Sequence, residues 1–229
     1  MRVAARAASL VSAKVVGVSA GSGHAVWMTT YHDGNRQLQD RFDTRRLADR
    51  LDEVLVSDTI DAGDAAFIQA ADHFFLATVS PDGMPTVGYK GGAPGFVRVL
   101  DEHTLAFPNY NGNGMYVGMG NVIGNGQVGM LFVSWAKGNR LRLHGTASID
   151  FDDPLTESYP EAQFVVRVTT TAMWANCPRY VHRMVPAERS VFVPEEGRQT
   201  PVPGWKRADW AFDVLPEGDP ALDPDAPVA

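Results

Sequence analysis

Residues 89–115 read Y-K-G-G-A-P-G-F-V-R-V-L-D-E-H-T-L-A-F-P-N-Y-N-G-N-G-M. Lys90 closes one predicted strand, and a glycine- and asparagine-rich loop follows a later one. A lysine at a strand end meets a phosphate as a point charge. Glycines let backbone amides approach an anion closely, because no side chain intervenes. The pair suits a flat cofactor with an anionic tail, and a phosphate-bearing flavin is the ligand it points to first.

Working outward, residues 73–80 (H-F-F-L-A-T-V-S) form a β-rich run, and Pro81-Asp82-Gly83 is turn chemistry. Residues 85–90 resume a strand, which predicts a hairpin. Further strands are expected at 96–100, 104–107, 127–135, 140–149 and 163–171, with Lys137-Gly138-Asn139 as a turn. Residues 115–122 are ambiguous, with one or two helical turns expected. Before the strands, Leu38, Phe42, Leu47, Leu51 and Leu55 recur at helical spacing, predicting one helix over 36–56. Asp61 is placed to cap a second helix, with Asp64 in its first turn. Short strands with tight turns after a helical start indicate an antiparallel barrel or sandwich rather than a parallel sheet.

The chain has 229 residues, 45% of them hydrophobic, enough for a substantial core. Its net charge of −7 argues against general nucleic-acid binding and against an anionic membrane surface. No apolar run approaches the roughly 20 residues of a membrane span. The lone cysteine, Cys177, permits no intrachain disulfide, and a cytoplasmic location is the natural expectation. The six histidines are scattered without metal-ligand spacing, so no metal site is expected. Residues 1–30 are read as a poorly ordered extension or a non-native start, with Met28 as an alternative beginning. The tail, 216–229, is rich in Pro, Asp, Ala and Gly and is expected to be loose.

Five stretches carry a family likeness: F-F-L-A-T-V (74–79), residues 89–101, L-A-F-P-N-Y-N-G-N-G-M (105–115), N-C-P-R-Y-V-H-R (176–183) and P-V-P-G-W-K-R (201–207). In this order they resemble the pyridoxamine 5′-phosphate oxidase-like flavin-binding family over residues 31–215. The resemblance implies a mainly β (α+β) fold, a six-stranded antiparallel split β-barrel with flanking helices. It also implies a homodimer with FMN in the groove between subunits, FAD and F420 being the alternatives. The activity implied is that of a flavin-dependent oxidoreductase acting on an unidentified small molecule. A non-catalytic flavin, F420 or haem carrier of the same fold is the other reading.

By position, the resemblance assigns Tyr89, Lys90 and Gly91 to the cofactor, and Phe107, Pro108 and Asn109 to the ring and ribityl chain. Asn113, Gly114 and Met115 fall where the oxidase carries a Ser-Arg-Lys phosphate clamp, a departure that removes charge. Arg140 falls where the oxidase directs a glutamine at the flavin, and Arg179 is expected to reach the ligand across the dimer, with His182 beside it. Arg140 and Arg142 share one strand face, with Leu141 and Leu143 on the core side. Cys177 is expected to be a buried structural residue. Trp205, Lys206 and Arg207 are read either as a lid over the ring or as C-terminal packing. No side chain is assigned as a catalytic acid or base.

Overall fold

A computed structural model describes residues 31–185 and 187–229; the extension at 1–30 lies outside the described residues. The chain divides into two units, Met1–Val56 and Ser57–Ala229.

In the first unit, the single helix expected over 36–56 is two, α1 (Asp33–Arg41) and α2 (Arg45–Leu55). The break falls at Asp43, whose φ of 52° is left-handed, with Thr44 following. Both side chains compete with the helical backbone for hydrogen bonds, which favours turns. The Thr44 N–H donates to the Gln39 carbonyl at 2.8 Å, and Arg45 grips Asp40 through Nε at 2.5 Å and Nη2 at 2.6 Å. The helical spacing of apolar residues does not mark a core here: Leu38, Phe42 and Leu47 are all exposed.

The second unit begins with α3 (Ala62–Gln69), capped as the sequence predicts by Asp61, whose carboxylate accepts from the Asp64 N–H at 2.8 Å. Its strands are β1 (His73–Val79), β2 (Pro85–Gly91), β3 (Arg98–Val99), β4 (Thr104–Tyr110), β5 (Gln127–Ser134), β6 (Asn139–Asp150) and β7 (Ala162–Asn176). Helix α4 (Val117–Gly124) resolves the ambiguous stretch. The sheet order is β2-β1-β5-β6-β7-β4-β3, with every pairing antiparallel. Six strands have seven or more residues; β3 has two.

Alternation sets the faces. On β1, Phe74, Leu76 and Thr78 are buried; on β6, Leu141 and Leu143 are. The rings of Phe107 and Phe132 lie 5.0 and 5.3 Å from Phe74. Lys90 is the cross-strand partner of Phe74, so it shares the inward face. It reaches Asn109 of β4, near the opposite edge of the sheet, at 3.3 Å. Two strands at opposite ends of the sheet order can touch only if the sheet curls on itself, which is the split-barrel geometry. Gly145 marks the bulge between β6 and β7, where an added Cβ would lie 2.5 Å from the Thr169 carbonyl oxygen.

The C-terminal residues, expected to be loose, are packed. Val202, Ala221 and Ala226 form a buried cluster with Leu215 against it, and Val202 bridges Val228. Small alanines fit where large side chains would not, and Asp219 caps the Pro220–Leu222 turn by accepting from the Ala221 N–H at 2.9 Å.

Candidate functional site

Lys90 stands where β2 ends. It is half-buried, and burial holds its ammonium below the ordinary value of a lysine. Its hydrogen-bond partner is neutral: the Asn109 side-chain oxygen. Among the described residues no carboxylate pairs with it. Asn109 is buried in turn, and its amide nitrogen donates to Gln163 Oε1 at 3.0 Å and to the Tyr110 carbonyl at 3.2 Å. The Tyr116 hydroxyl donates to the same Gln163 oxygen at 3.0 Å. Asn109, Gln163 and Tyr116, from three segments, thus aim one unneutralised cation.

The loop after β4 is open. Asn111, Gly112, Asn113, Gly114 and Met115 are all exposed. Gly114 takes a φ of 75°, and the Asn113 side-chain oxygen accepts from the Met115 N–H at 3.0 Å, an Asx turn. Asn111 is committed elsewhere: it accepts from Lys206 at 2.6 Å. Phe107 forms part of the barrel floor below, and Pro108 lies on β4 past the two residues that β3 pairs with.

Tyr89 points the other way. Its ring is exposed on the outer face and stacks on His73 at 5.5 Å, with 11° between planes. Trp135 Nε1 donates to His73 Nε2 at 2.9 Å, so the ring proton sits on Nδ1 and is shared with Asp72 at 2.5 Å. The histidine is therefore held between two partners, with Trp135 also stacked on it at 6.0 Å.

Arg140 and Arg179 form a separate cluster around Cys177. Arg140 Nη2 donates to the Cys177 carbonyl at 2.5 Å, while its Nε is buried with no hydrogen-bond partner among the described residues. Arg179 Nε lies 3.3 Å from the Cys177 sulfur. Cys177 is exposed, contrary to expectation. The Arg179 backbone amide first, and then its guanidinium, hold the thiol below its ordinary value. Arg142 packs over Trp174 at 5.5 Å instead, as β6 alternation allows.

Residues 61–198 match the family model described as pyridoxamine 5′-phosphate oxidase. The chain belongs to the pyridoxamine 5′-phosphate oxidase-like family. Among solved structures, it is similar to an FMN-binding protein from Syntrophomonas wolfei (11% identity, 62% of this chain and 97% of that one, TM-score 0.37). It is also similar to an F420 reductase (21% identity, 50% and 98%, TM-score 0.38). A third is HutZ, the heme storage protein from Vibrio cholerae (18% identity, 50% and 93%, TM-score 0.37). No curated protein matches. In this family member, the residues expected at the cofactor fall into three places. Lys90, Phe107 and Asn109 lie on the inward face, while Gly91 and Pro108, their neighbours in the same strands, face the other way; Asn113, Gly114 and Met115 form the open loop beside them. Tyr89 faces outward, and Arg140 and Arg179 sit together on the Cys177 side.

Sequence reading missed Gln163 and Tyr116. Gln163 starts β7, and only the β4–β7 register, which carries Asn109 opposite Phe164, reveals that it reaches Asn109. It also missed how the Lys206 cation is spent: its ammonium is buried and bonded to Asp219 at 2.7 Å, so it does not serve as a lid cation. No helix among the described residues is long and apolar enough to cross a membrane.

Proposed function

We propose that this protein is an FMN-dependent oxidoreductase in which Lys90 receives the cofactor's phosphate, within a crevice completed by a second copy of the chain. The observation that carries the reading is the half-buried Lys90 ammonium, which meets an asparagine where a buried cation ordinarily meets a carboxylate. Leaving a cation short of a counter-charge costs stability, and a bound anion restores the balance. Asn109, fixed by Gln163, orients the ammonium. The exposed amides of the Asn113–Gly114 turn add uncharged donors in place of the missing Arg and Lys. These residues fit one phosphate group.

The outer face is where a second copy would pack. Met84, Val87 and Tyr89 around β2, with Met115 and Ile123 near α4, leave large apolar side chains exposed, surface that a second copy would cover. A partner there would bring its own polar groups to the crevice. Arg140, with an unsatisfied Nε, and Arg179 are the cations available to complete it. Bound FMN supplies hydride and electron transfer; the chain orients it, balances its charge and excludes water.

The test is direct. The purified full chain is denatured, and the released small molecule is identified by absorbance and mass. The holoprotein is then mixed with NADH or NADPH under anaerobic conditions, and flavin bleaching is followed. FMN release with bleaching supports an oxidoreductase. FMN release with no bleaching by either donor reduces the protein to a flavin carrier, and failure to take up FMN in titration removes the reading altogether.

A further inference from the structure

A cavity of about 630 Å³ lies between the loop after β4, the start of β7 and the C-terminal segment. Its size is that of a small-molecule site. Tyr110, Asn113 and Gln163 line one wall; Phe192, Pro201 and Trp205 line another. The match to the family model ends at residue 198, so Pro201 and Trp205 belong to chain outside it. Trp205 stacks on Trp210 at 5.8 Å with 13° between planes, which fixes the attitude of its ring.

Two further observations fix the chemistry of the occupant. The first is charge. Lys206 borders the cavity, but Asp219 at 2.7 Å and Asn111 at 2.6 Å consume its ammonium. Glu161 also lines the cavity and is exposed; its carboxylate accepts from the Thr200 N–H at 3.1 Å. The uncompensated charge around the space is therefore a single carboxylate, which repels anions. The second is hydrogen bonding. The Gln163 oxygen is occupied by Asn109 and Tyr116, and the Asn113 oxygen by the Met115 amide. Their side-chain nitrogens have no partner among the described residues, so both offer N–H donors.

We propose that this cavity binds an uncharged, planar heteroaromatic molecule bearing carbonyl or ring-nitrogen acceptors, at a site distinct from the Lys90 cradle. The flat ring lies against Trp205 and the prolines, where aromatic contact adds to apolar burial. Its acceptors face Gln163 and Asn113. Gln163 and Asn113 border both sites: the Gln163 oxygen supports Asn109 beside Lys90 and its nitrogen is left for the ligand, while the Asn113 backbone lies on the Lys90 side and its side-chain nitrogen on the cavity side.

The experiment uses a matched pair of fluorescent probes, neutral 7-amino-4-methylcoumarin and its anionic 3-acetic acid derivative. Each is titrated by anisotropy against the full chain with and without saturating FMN. The neutral probe is expected to bind one per chain, with the anionic probe at least about tenfold weaker. Trp205→Ala should weaken the neutral probe about tenfold, with circular dichroism confirming that the variant is folded. Glu161→Gln retains the acceptor for Thr200; it should leave the neutral probe unchanged and bring the anionic one within about threefold of it. This second variant decides the matter if Trp205→Ala does not fold. No saturable binding of the neutral probe up to about 1 mM overturns the proposal. So does equal affinity for both probes, or displacement of the neutral probe by FMN. A chain that binds the neutral probe but never binds FMN keeps this site and loses only the flavin reading.

Discussion

Two lysines of this chain reach asparagines on either side of the end of β4, and they do opposite things. Lys206 meets Asn111 at 2.6 Å and Asp219 at 2.7 Å, with both charged side chains almost fully buried. Lys90 meets Asn109 at 3.3 Å and no carboxylate. At Asp219, burial raises the carboxyl while the Lys206 ammonium and the Ala221 amide lower it, and the lowering wins. At Lys90 burial acts alone, lowering the ammonium. A buried cation with its counter-charge is a staple that pins the C-terminal segment to the loop after β4. The half-buried Lys90 ammonium lacks a counter-charge, which is why the phosphate is assigned to it in the proposed function. Residue type and glycine-rich surroundings do not separate the two cases; the presence of a carboxylate partner does.

The largest expected effect comes from breaking the staple. Lys206→Met leaves Asp219 buried and unpaired, at a cost of about 3–5 kcal/mol in urea unfolding. Adding Asp219→Asn to it should recover part of that loss, because no lone charge remains. The same change at the other lysine should act on binding instead. Lys90→Met is expected to weaken FMN about thirtyfold, roughly 2 kcal/mol, by isothermal titration, and to leave the urea midpoint unchanged or slightly higher. Asn109→Asp converts the Lys90 site into a copy of the Lys206 site; about a tenfold loss of FMN affinity is expected from the competing carboxylate.

The smallest effect is in pH. Phosphate binding needs the Lys90 ammonium, and burial lowers the pH at which it is lost. FMN affinity should therefore fall as pH rises from neutrality toward the ordinary lysine range, and the fall should begin below the pH at which an exposed lysine loses its charge. Lys90→Met should show no such fall. The stability sign is opposite: over that window the unfolded chain binds more protons than the folded one, so Lys90 makes stability rise with pH.

The hairpin of β1 and β2 is legible in sequence because alternation and Pro81-Asp82-Gly83 act locally, and the partners Phe74 and Lys90 follow from it. The Asp61 cap is legible for the same reason. The break at Asp43 is not, since one residue in a left-handed conformation overrides a good apolar period. The C-terminal segment reads as loose because its composition is that of a linker. What holds it is a contact between Asn111 and Lys206, 95 residues apart, together with alanines too small to announce a core. In the site, Lys90 is visible as a strand-end lysine before Gly91-Gly92, and Asn109 through the family resemblance. Gln163 and Tyr116 are not, because only the curl of the barrel brings them to Asn109. Cys177 reads as buried from its type, whereas Arg140 and Arg179 hold it at the surface.

The most direct measurement is a side-by-side FMN titration of the wild-type chain, Lys90→Met and Lys206→Met at a temperature where all three are folded. The account predicts that Lys90→Met loses about thirtyfold in affinity at unchanged stability, and that Lys206→Met loses stability while keeping its FMN affinity within about threefold. Equal FMN binding by wild type and Lys90→Met would contradict it, because the unpaired ammonium would then have no anion to hold.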